Sequence, residues 1–206
     1  PENPTRGNTF LVYRGGEFKN FELKFEYKIV GGNSGVQYRS FEPDPDKQKW
    51  VVGGYQADLE AGDTFSGILY GERFRGMLAN RGQKTELIRK DGKFQSKRVG
   101  SVGDSAEIQS KIKKEDWNEY SVLADDFHFV HKINGVTTAE CTDLDEQERR
   151  DSGIIALQLH AGPPMLVQFR NIRIKNLDQP AEEKVDGDQL QQLKEETSST
   201  TEDKKK

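Results

Sequence analysis

The chain has 206 residues, with 31 Lys and Arg against 35 Asp and Glu, and its formal net charge of −4 lies wholly in residues 178–206. A neutral body lacks the basic surface that follows phosphates, and no apolar run reaches the roughly 18–20 residues of a membrane-spanning helix, so we expect neither nucleic-acid binding nor a membrane span. The single Cys141 excludes an internal disulfide and a Cys-rich zinc site, and we expect it to be inert.

Residues 1–177 carry the pattern of many short strands. From Phe21 to Ile29, apolar residues alternate with Glu and Lys, which is typical of a half-buried strand. Further strands are predicted at Val36–Arg39, Tyr55–Leu59, Ile68–Tyr70, Tyr120–Ala124, Phe127–Ile133, Ile154–His160 and Leu166–Ile174. No part of this body shows a 3.6-residue apolar period. The pattern predicts an all-β jelly-roll sandwich of two antiparallel sheets.

Turn signals separate these strands. Asn134-Gly135 predicts a tight hairpin, and Gly162-Pro163-Pro164 predicts a break after the Ile154–His160 strand. Phe41–Lys49 and the Gly- and charge-rich Arg73–Lys97 are predicted loops. In the last strand the apolar parity slips, which predicts a bulge near Arg170-Asn171. Residues 178–206 form a polar tail, expected to be disordered or weakly helical.

Three strands direct unusual side chains away from the core. Parity places Gln37 and Arg39, Gln56 and Asp58, and Gln158 and His160 outward, with Tyr70 and Glu72 as further members. Amides and planar charged groups form directional paired hydrogen bonds, which suits a ligand dense in hydroxyls. The sequence therefore predicts a saccharide-binding face, with an ordinary solvent-facing sheet as the alternative.

Single residues of this kind have structural alternatives. His160 stands at a strand end beside a rigid loop, where it either caps backbone groups or serves a site. Asp58 either orients Arg39 or acts as a base, whereas His131 shares parity with Phe129 and is expected to point inward. Loop carboxylates that could bind calcium lack the EF-hand spacing; they are Asp44, Asp46, Asp143 and Asp145. Glu-x-Asp-x-x-Glu is absent from the body, which disfavours a two-carboxylate glycosidase.

Several segments, in order, resemble the 3-keto-disaccharide hydrolase domain family, which has a concanavalin A-like sandwich. They are Asn20–Leu23, Gly32–Ser40, Gly54–Asp58, Trp117–Tyr120, His131–Val136, Leu157–His160 and Gly162–Met165 with Phe169–Ile172. The resemblance covers about Asn20 to Leu177. Two departures stand out: a strand ahead of Phe21 is expected to be missing or altered, and many members carry Glu where Gln56-Ala57-Asp58 stands here.

The resemblance implies cleavage of 3-keto-glycosides by base-catalysed β-elimination followed by hydration. For this chemistry, shared strand parity favours His160 as the base, since an imidazole titrates near neutral pH, Arg39 as the group that stabilises the enolate, and Asp58 as a group that orients Arg39 or binds a metal. Gln37, Gln56 and Gln158 would bind hydroxyls, and Tyr70 would stack on the sugar, with Glu72 beside it. No cofactor is certain, and a divalent metal stays open.

Two other functions stay open on the same fold: a non-catalytic carbohydrate-binding module, and an interaction module that binds another protein. The resemblance also implies a periplasmic, cell-surface or secreted protein. The sequence begins at Pro1 without an initiator Met or a signal peptide, so a processed or excised chain is expected.

Overall fold

Short strands joined by tight turns make up nearly all of the described chain, which in the computed structural model comprises residues 3–44, 46–47 and 50–178. The strands are β1 (Thr9–Val12), β2 (Phe21–Val30), β3 (Asn33–Phe41), β4 (Gly53–Glu60), β5 (Leu69–Glu72), β6 (Gly76–Ala79), β7 (Gln83–Lys90), β8 (Lys93–Ser101), β9 (Asn118–Asp125), β10 (His128–Ile133), β11 (Val136–Asp143), β12 (Ile154–Leu159) and β13 (Leu166–Asn176). The helix α1 (Ser105–Gln109) has five residues, and no helix of the described part is long and apolar enough to cross a membrane.

These strands form two sheets that face each other as a sandwich, which confirms the predicted all-β fold. The six-stranded sheet has the order β1-β12-β3-β4-β5-β6, and the seven-stranded sheet has the order β13-β2-β9-β10-β11-β7-β8. Neighbouring strands are antiparallel except β11 and β7, which run parallel. Because β7 runs parallel to β11, the seven-stranded sheet is mixed, whereas the sequence predicted antiparallel sheets.

The core between the sheets is rich in aromatic side chains. The rings of Phe25 and Tyr120 stack with their centroids 5.2 Å apart. His131 lies among them, fully buried, with its Nε2 2.9 Å from the Tyr38 hydroxyl and its Nδ1 3.0 Å from the Tyr120 hydroxyl. Burial lowers the pKa of His131 to about 3, so it is a neutral core residue, as predicted. Cys141 is also buried, and burial raises the pKa of its thiol to about 12.

Local turn predictions are confirmed. Asn134 and Gly135 join β10 to β11 with φ of 50° and 79°, the left-handed geometry that a two-residue hairpin needs. The register of β13 against β2 shifts between Arg170 and Arg173, at the predicted bulge.

The structure contains strands in two segments where the sequence did not predict intact ones. Residues Thr9–Val12 form β1 and pair with β12, so the strand ahead of Phe21 is present. The predicted loop Arg73–Lys97 contains β6, β7 and most of β8. β8 is an edge strand with mostly exposed side chains, so its charged sequence shows no apolar alternation. Of the predicted tail, residues 179–206 lie outside the described chain.

Candidate active-site cleft

An open cleft of about 650 Å³ lies on the outer face of the six-stranded sheet. Five of the eight predicted site residues line it: Gln56, Asp58, Tyr70, Glu72 and His160. The rest of its lining is Gly32, Asn33, Glu60, Ala61, Gly62, Phe65, Ile68, Met77 and Ala161. The structure thus brings together four predicted site residues on β4 and β5 and His160, which follows β12.

Strand alternation places these groups. In β4, Tyr55, Ala57 and Leu59 are fully buried in the core, which turns Gln56 and Asp58 to the outer face. Tyr70 in β5 pairs with Gln56, so the two side chains share that face. His160 follows the last residue of β12, where the chain leaves the sheet.

Side-chain amides hold the carboxylate of Asp58. Asn33 Nδ2 donates to Asp58 Oδ1 at 2.7 Å, and Gln56 Nε2 donates to Asp58 Oδ2 at 2.8 Å. A Cβ at Gly35 would lie 2.6 Å from the Gln56 side chain, so only glycine there lets the Gln56 side chain cross β3. The two donors fix the carboxyl group at the floor of the cleft.

Asp58 carries the most strongly displaced carboxyl pKa of the cleft. Burial raises it to about 7, Asn33 and Gln56 counteract part of that rise, and the charges of Glu60 and Glu72 add to it. Both protonation states are therefore populated near neutral pH, which a general acid or base requires.

His160 has a defined tautomer. Its Nδ1 lies 2.6 Å from the carbonyl oxygen of Ala161. Because a carbonyl only accepts, Nδ1 carries a hydrogen, and in the neutral ring the lone pair then lies on Nε2. A neutral imidazole in this tautomer can take a proton at Nε2.

Gln37 and Gln158 do not line the cleft. Both are buried, and both donate from Nε2 to Gln56 Oε1, Gln158 at 3.2 Å. Phe10 pairs with Gln158 across β1 and β12 and forms a small apolar cluster with Val52 and Ala156. The two glutamines therefore contact Gln56 instead of presenting amides to a ligand.

Arg39 lies outside the cleft, contrary to its expected position beside Gln37. Its φ is 43°, within a register shift of β3 between Tyr38 and Phe41, and this reverses its parity. The guanidinium is buried between the sheets, 5.2 Å from the Phe129 ring centroid. It donates to four oxygens: Lys19 O at 2.8 Å, Asp126 O at 2.5 Å, Arg150 O at 3.2 Å and Asn20 Oδ1 at 3.1 Å.

Some residues of the cleft were not predicted from the sequence. Phe65 is 42% exposed and stands in the turn-rich stretch Gly62–Gly67, where a lone aromatic residue was the available signal. Asn8 closes the rim: its Oδ1 accepts from Ala161 N at 2.8 Å and its Nδ2 donates to Glu72 Oε1 at 3.3 Å. Nothing local in the sequence distinguishes Asn8.

Comparison with known proteins identifies the family. The family model described as the 3-keto-alpha-glucoside-1,2-lyase-like domain matches residues 1–175. The chain belongs to this family. No curated protein matches it in sequence.

Solved structures share the fold of this 3-keto-α-glucoside-1,2-lyase-like domain at low identity. A protein of unknown function with a galectin-like fold from Bacillus subtilis has a TM-score of 0.54 at 10% identity, covering 84% of this chain and 80% of its own. The carbohydrate-binding module CBM66 from Bacillus subtilis has a TM-score of 0.51 at 12% identity, covering 84% of both chains. A Parabacteroides distasonis protein provisionally described as a glycosyl hydrolase has a TM-score of 0.51 at 18% identity, covering 82% and 84%. These likenesses show the sandwich fold.

Within the part of the chain that the structure describes, the side chains do not fit a divalent metal. No three His, Cys, Asp or Glu side chains of the described residues come together to hold an ion. Both oxygens of Asp58 already accept hydrogen bonds from amides. Asp143 and Asp145 pair with Arg75, and Asp145 also with Arg89, so they are bound within the protein.

Proposed function

We propose that this domain cleaves the glycosidic bond of 3-keto-glucosides by β-elimination in the cleft. The observation that carries the proposal is that Asp58, with a pKa of about 7, and His160, whose Nδ1 donates to the Ala161 carbonyl, line one open cleft. Membership of the 3-keto-α-glucoside-1,2-lyase-like family supports the substrate class.

The chemistry needs a base and a donor to the oxygen at C3. A ketone at C3 acidifies the hydrogen on C2, and in the proposal His160 Nε2 takes that proton. The electron pair moves into the C2–C3 bond and places negative charge on the C3 oxygen. The C3 carbonyl then re-forms as the C1–O bond breaks, and the proton taken up by His160 Nε2 passes to the leaving oxygen, which leaves a C1–C2 double bond and the free alcohol. Addition of water across that double bond, hydroxyl to C1 and proton to C2, gives the free 3-keto sugar.

Asp58 takes the part that the sequence assigned to Arg39. A neutral carboxyl group can donate a hydrogen bond to the developing enolate oxygen, and the raised pKa of Asp58 keeps a protonated fraction available near neutral pH. Tyr70 and Phe65 offer faces on which a sugar ring can stack, and Asn33 and Glu72 offer polar groups for hydroxyls.

The test is incubation with 3-keto-trehalose or a 3-keto-glucoside, with and without divalent metal, and measurement of released sugar. We expect His160→Ala to lower the rate by about 10²–10⁴-fold, the usual contribution of a general base. His128 is the matched control, because it lies on β10 of the other sheet and contacts Thr142. Normal turnover by His160→Ala would overturn the assignment of the base.

A non-catalytic carbohydrate-binding module is the alternative outcome of the same assay. Saturable saccharide binding without release of sugar from any 3-keto-glycoside would establish it. The family resemblance further supports a site of action in the periplasm or at the cell surface, which fractionation of the producing cell would test.

A further inference from the structure

The charged side chains of the cleft are of one sign. Asp58, Glu60 and Glu72 line it, whereas its lining within the described residues contains no Lys or Arg. None of the ion pairs of that part of the chain includes these three carboxylates. The cleft is therefore a local region of negative potential in a body that carries no net charge.

The two glutamates are held in place by hydrogen bonds from neutral donors. Glu60 accepts at Oε1 from the backbone N–H groups of Thr64 and Phe65. Glu72 accepts at Oε1 from Asn8, which is itself anchored to the backbone of Ala161. Because these donors are uncharged, they orient the carboxylates without neutralising them.

Arg81 interacts electrostatically with Glu60, but it lines a neighbouring cavity that Glu60 also borders. Its guanidinium donates to the backbone carbonyls of Asp63, Thr64, Ser66 and Ser105. It is not part of the cleft lining, so a ligand in the cleft does not contact it.

We infer that the cleft accepts neutral and N-protonated glycosides and rejects anionic ones such as uronides and sugar phosphates, with Glu72 and Glu60 as the residues that set this specificity. An anionic ligand would sit beside like charges in a partly desolvated site whose lining has no Lys or Arg to offset them, which costs far more than the same approach in water. Rejection of the wrong charge is a common way of achieving specificity. The inference rests on the proposed function only in taking the cleft as the saccharide site.

The experiment compares the binding of three methyl glycosides of the same ring by ligand-observed NMR: the glucoside, the glucuronide and the protonated glucosaminide. At low salt we expect the glucuronide to bind at least tenfold more weakly than the glucoside, and the glucosaminide at least as tightly as the glucoside. Glu72→Gln keeps an oxygen for Asn8 and removes the charge. It should therefore narrow the gap in affinity between the glucoside and the glucuronide to about threefold. Glu86→Gln, on β7 of the other sheet, is the control and should leave the gap unchanged.

Screening provides a second measure, because 0.5 M NaCl should also narrow the gap in the unmodified protein. Equal or tighter binding of the glucuronide would overturn the inference, as would the absence of binding by all three sugars. The outcome is separable from the proposed catalysis. If no elimination occurs but the three sugars still bind in the expected order of affinity, only the catalytic proposal is refuted.

Discussion

Gln56 donates a hydrogen bond from Nε2 to Oδ2 of Asp58 at 2.8 Å, and the hydrogen bonds at its own Oε1 fix which end of the amide faces Asp58. The Oε1 of Gln56 already accepts from the amides of Gln37 and Gln158, both buried. An amide held in this way cannot flip to present its oxygen to Asp58 without leaving two donors unpaired. The acid proton of Asp58, when present, is thereby denied to Gln56 and remains available to the cleft.

Gln56→Met should raise the pKa of Asp58 above about 7, because it removes a donor that stabilises the carboxylate. We expect a rise of about one unit, equivalent to about 1.4 kcal/mol. Titration of the Asp58 carboxyl carbon by NMR measures it, with Gln95→Met on the exposed β8 as the control. An unchanged titration curve would show that the amide does not stabilise the ionised form.

The stability of Asp58→Asn relative to the parent should increase as the pH rises. The pKa of Asp58 is about 7 in the folded protein and about 3.8 in the unfolded chain, so ionisation favours unfolding. The loss of unfolding free energy that ionised Asp58 causes in the parent protein is absent below about pH 3.8. It grows between about pH 4 and 7 and reaches about 4 kcal/mol above pH 7. The difference in unfolding free energy between variant and parent should follow that window in urea titrations. A constant difference across it would contradict the raised pKa.

His131→Gln should flatten the loss of stability in acid. The pKa of His131 is about 3 when folded and 6.5 when unfolded, so protonation favours the unfolded chain and stability falls as the pH drops from 6.5 towards 3. The full effect is about 5 kcal/mol. Because Asp58 has the opposite pH dependence in part of this range, the comparison is best made in the Asp58→Asn background. If the unfolding free energy falls equally between pH 6.5 and 3 with and without His131, protonation of His131 is not the cause of the fall.

Arg39→Met should destabilise the fold by about 3 kcal/mol or more, because it removes the four hydrogen bonds that the fully buried Arg39 guanidinium donates. Chemical denaturation measures the loss, with the exposed Arg98→Met as the control. Below its unfolding temperature, Arg39→Met should bind saccharides as the parent does. A selective loss of sugar binding or turnover in the folded variant would restore Arg39 to the site.

Alternation alone was sufficient to predict most of the fold and the main part of the cleft. Phe21–Ile29 and Tyr55–Leu59 have one buried face each, so their parity identifies the core and turns Gln56 and Asp58 outward. His131 could be assigned to the core because it shares parity with Phe129. In each case the burial of one face constrains the sequence strongly enough to be recognised.

Other features depend on contacts that no local pattern encodes. The register shift of β3 at Arg39 turns the Arg39 side chain from the outer face to the inside of the sandwich. No Gly or Pro at that position signals the irregularity in the sequence. Gln37 and Gln158 do point outward, but Phe10 and Val52 cover that part of the face, and this became visible only with β1 in place. β8 lies at an edge with little to bury, so its sequence resembles that of a charged loop.

The attachment of β1 bears on how the chain can be shortened. β1 pairs with β12 along Thr9–Val12, and the backbone of Tyr13 adds a bond to Ile155 O at 2.9 Å. Trimming the chain to Phe18 would leave β12 as an unpaired edge, with Leu157 and Leu159 beside open backbone donors and acceptors. Such an edge is a template for pairing with another molecule, so a protein trimmed at this point would be prone to aggregate even though it loses only Asn8 from the rim of the cleft and retains the whole lining.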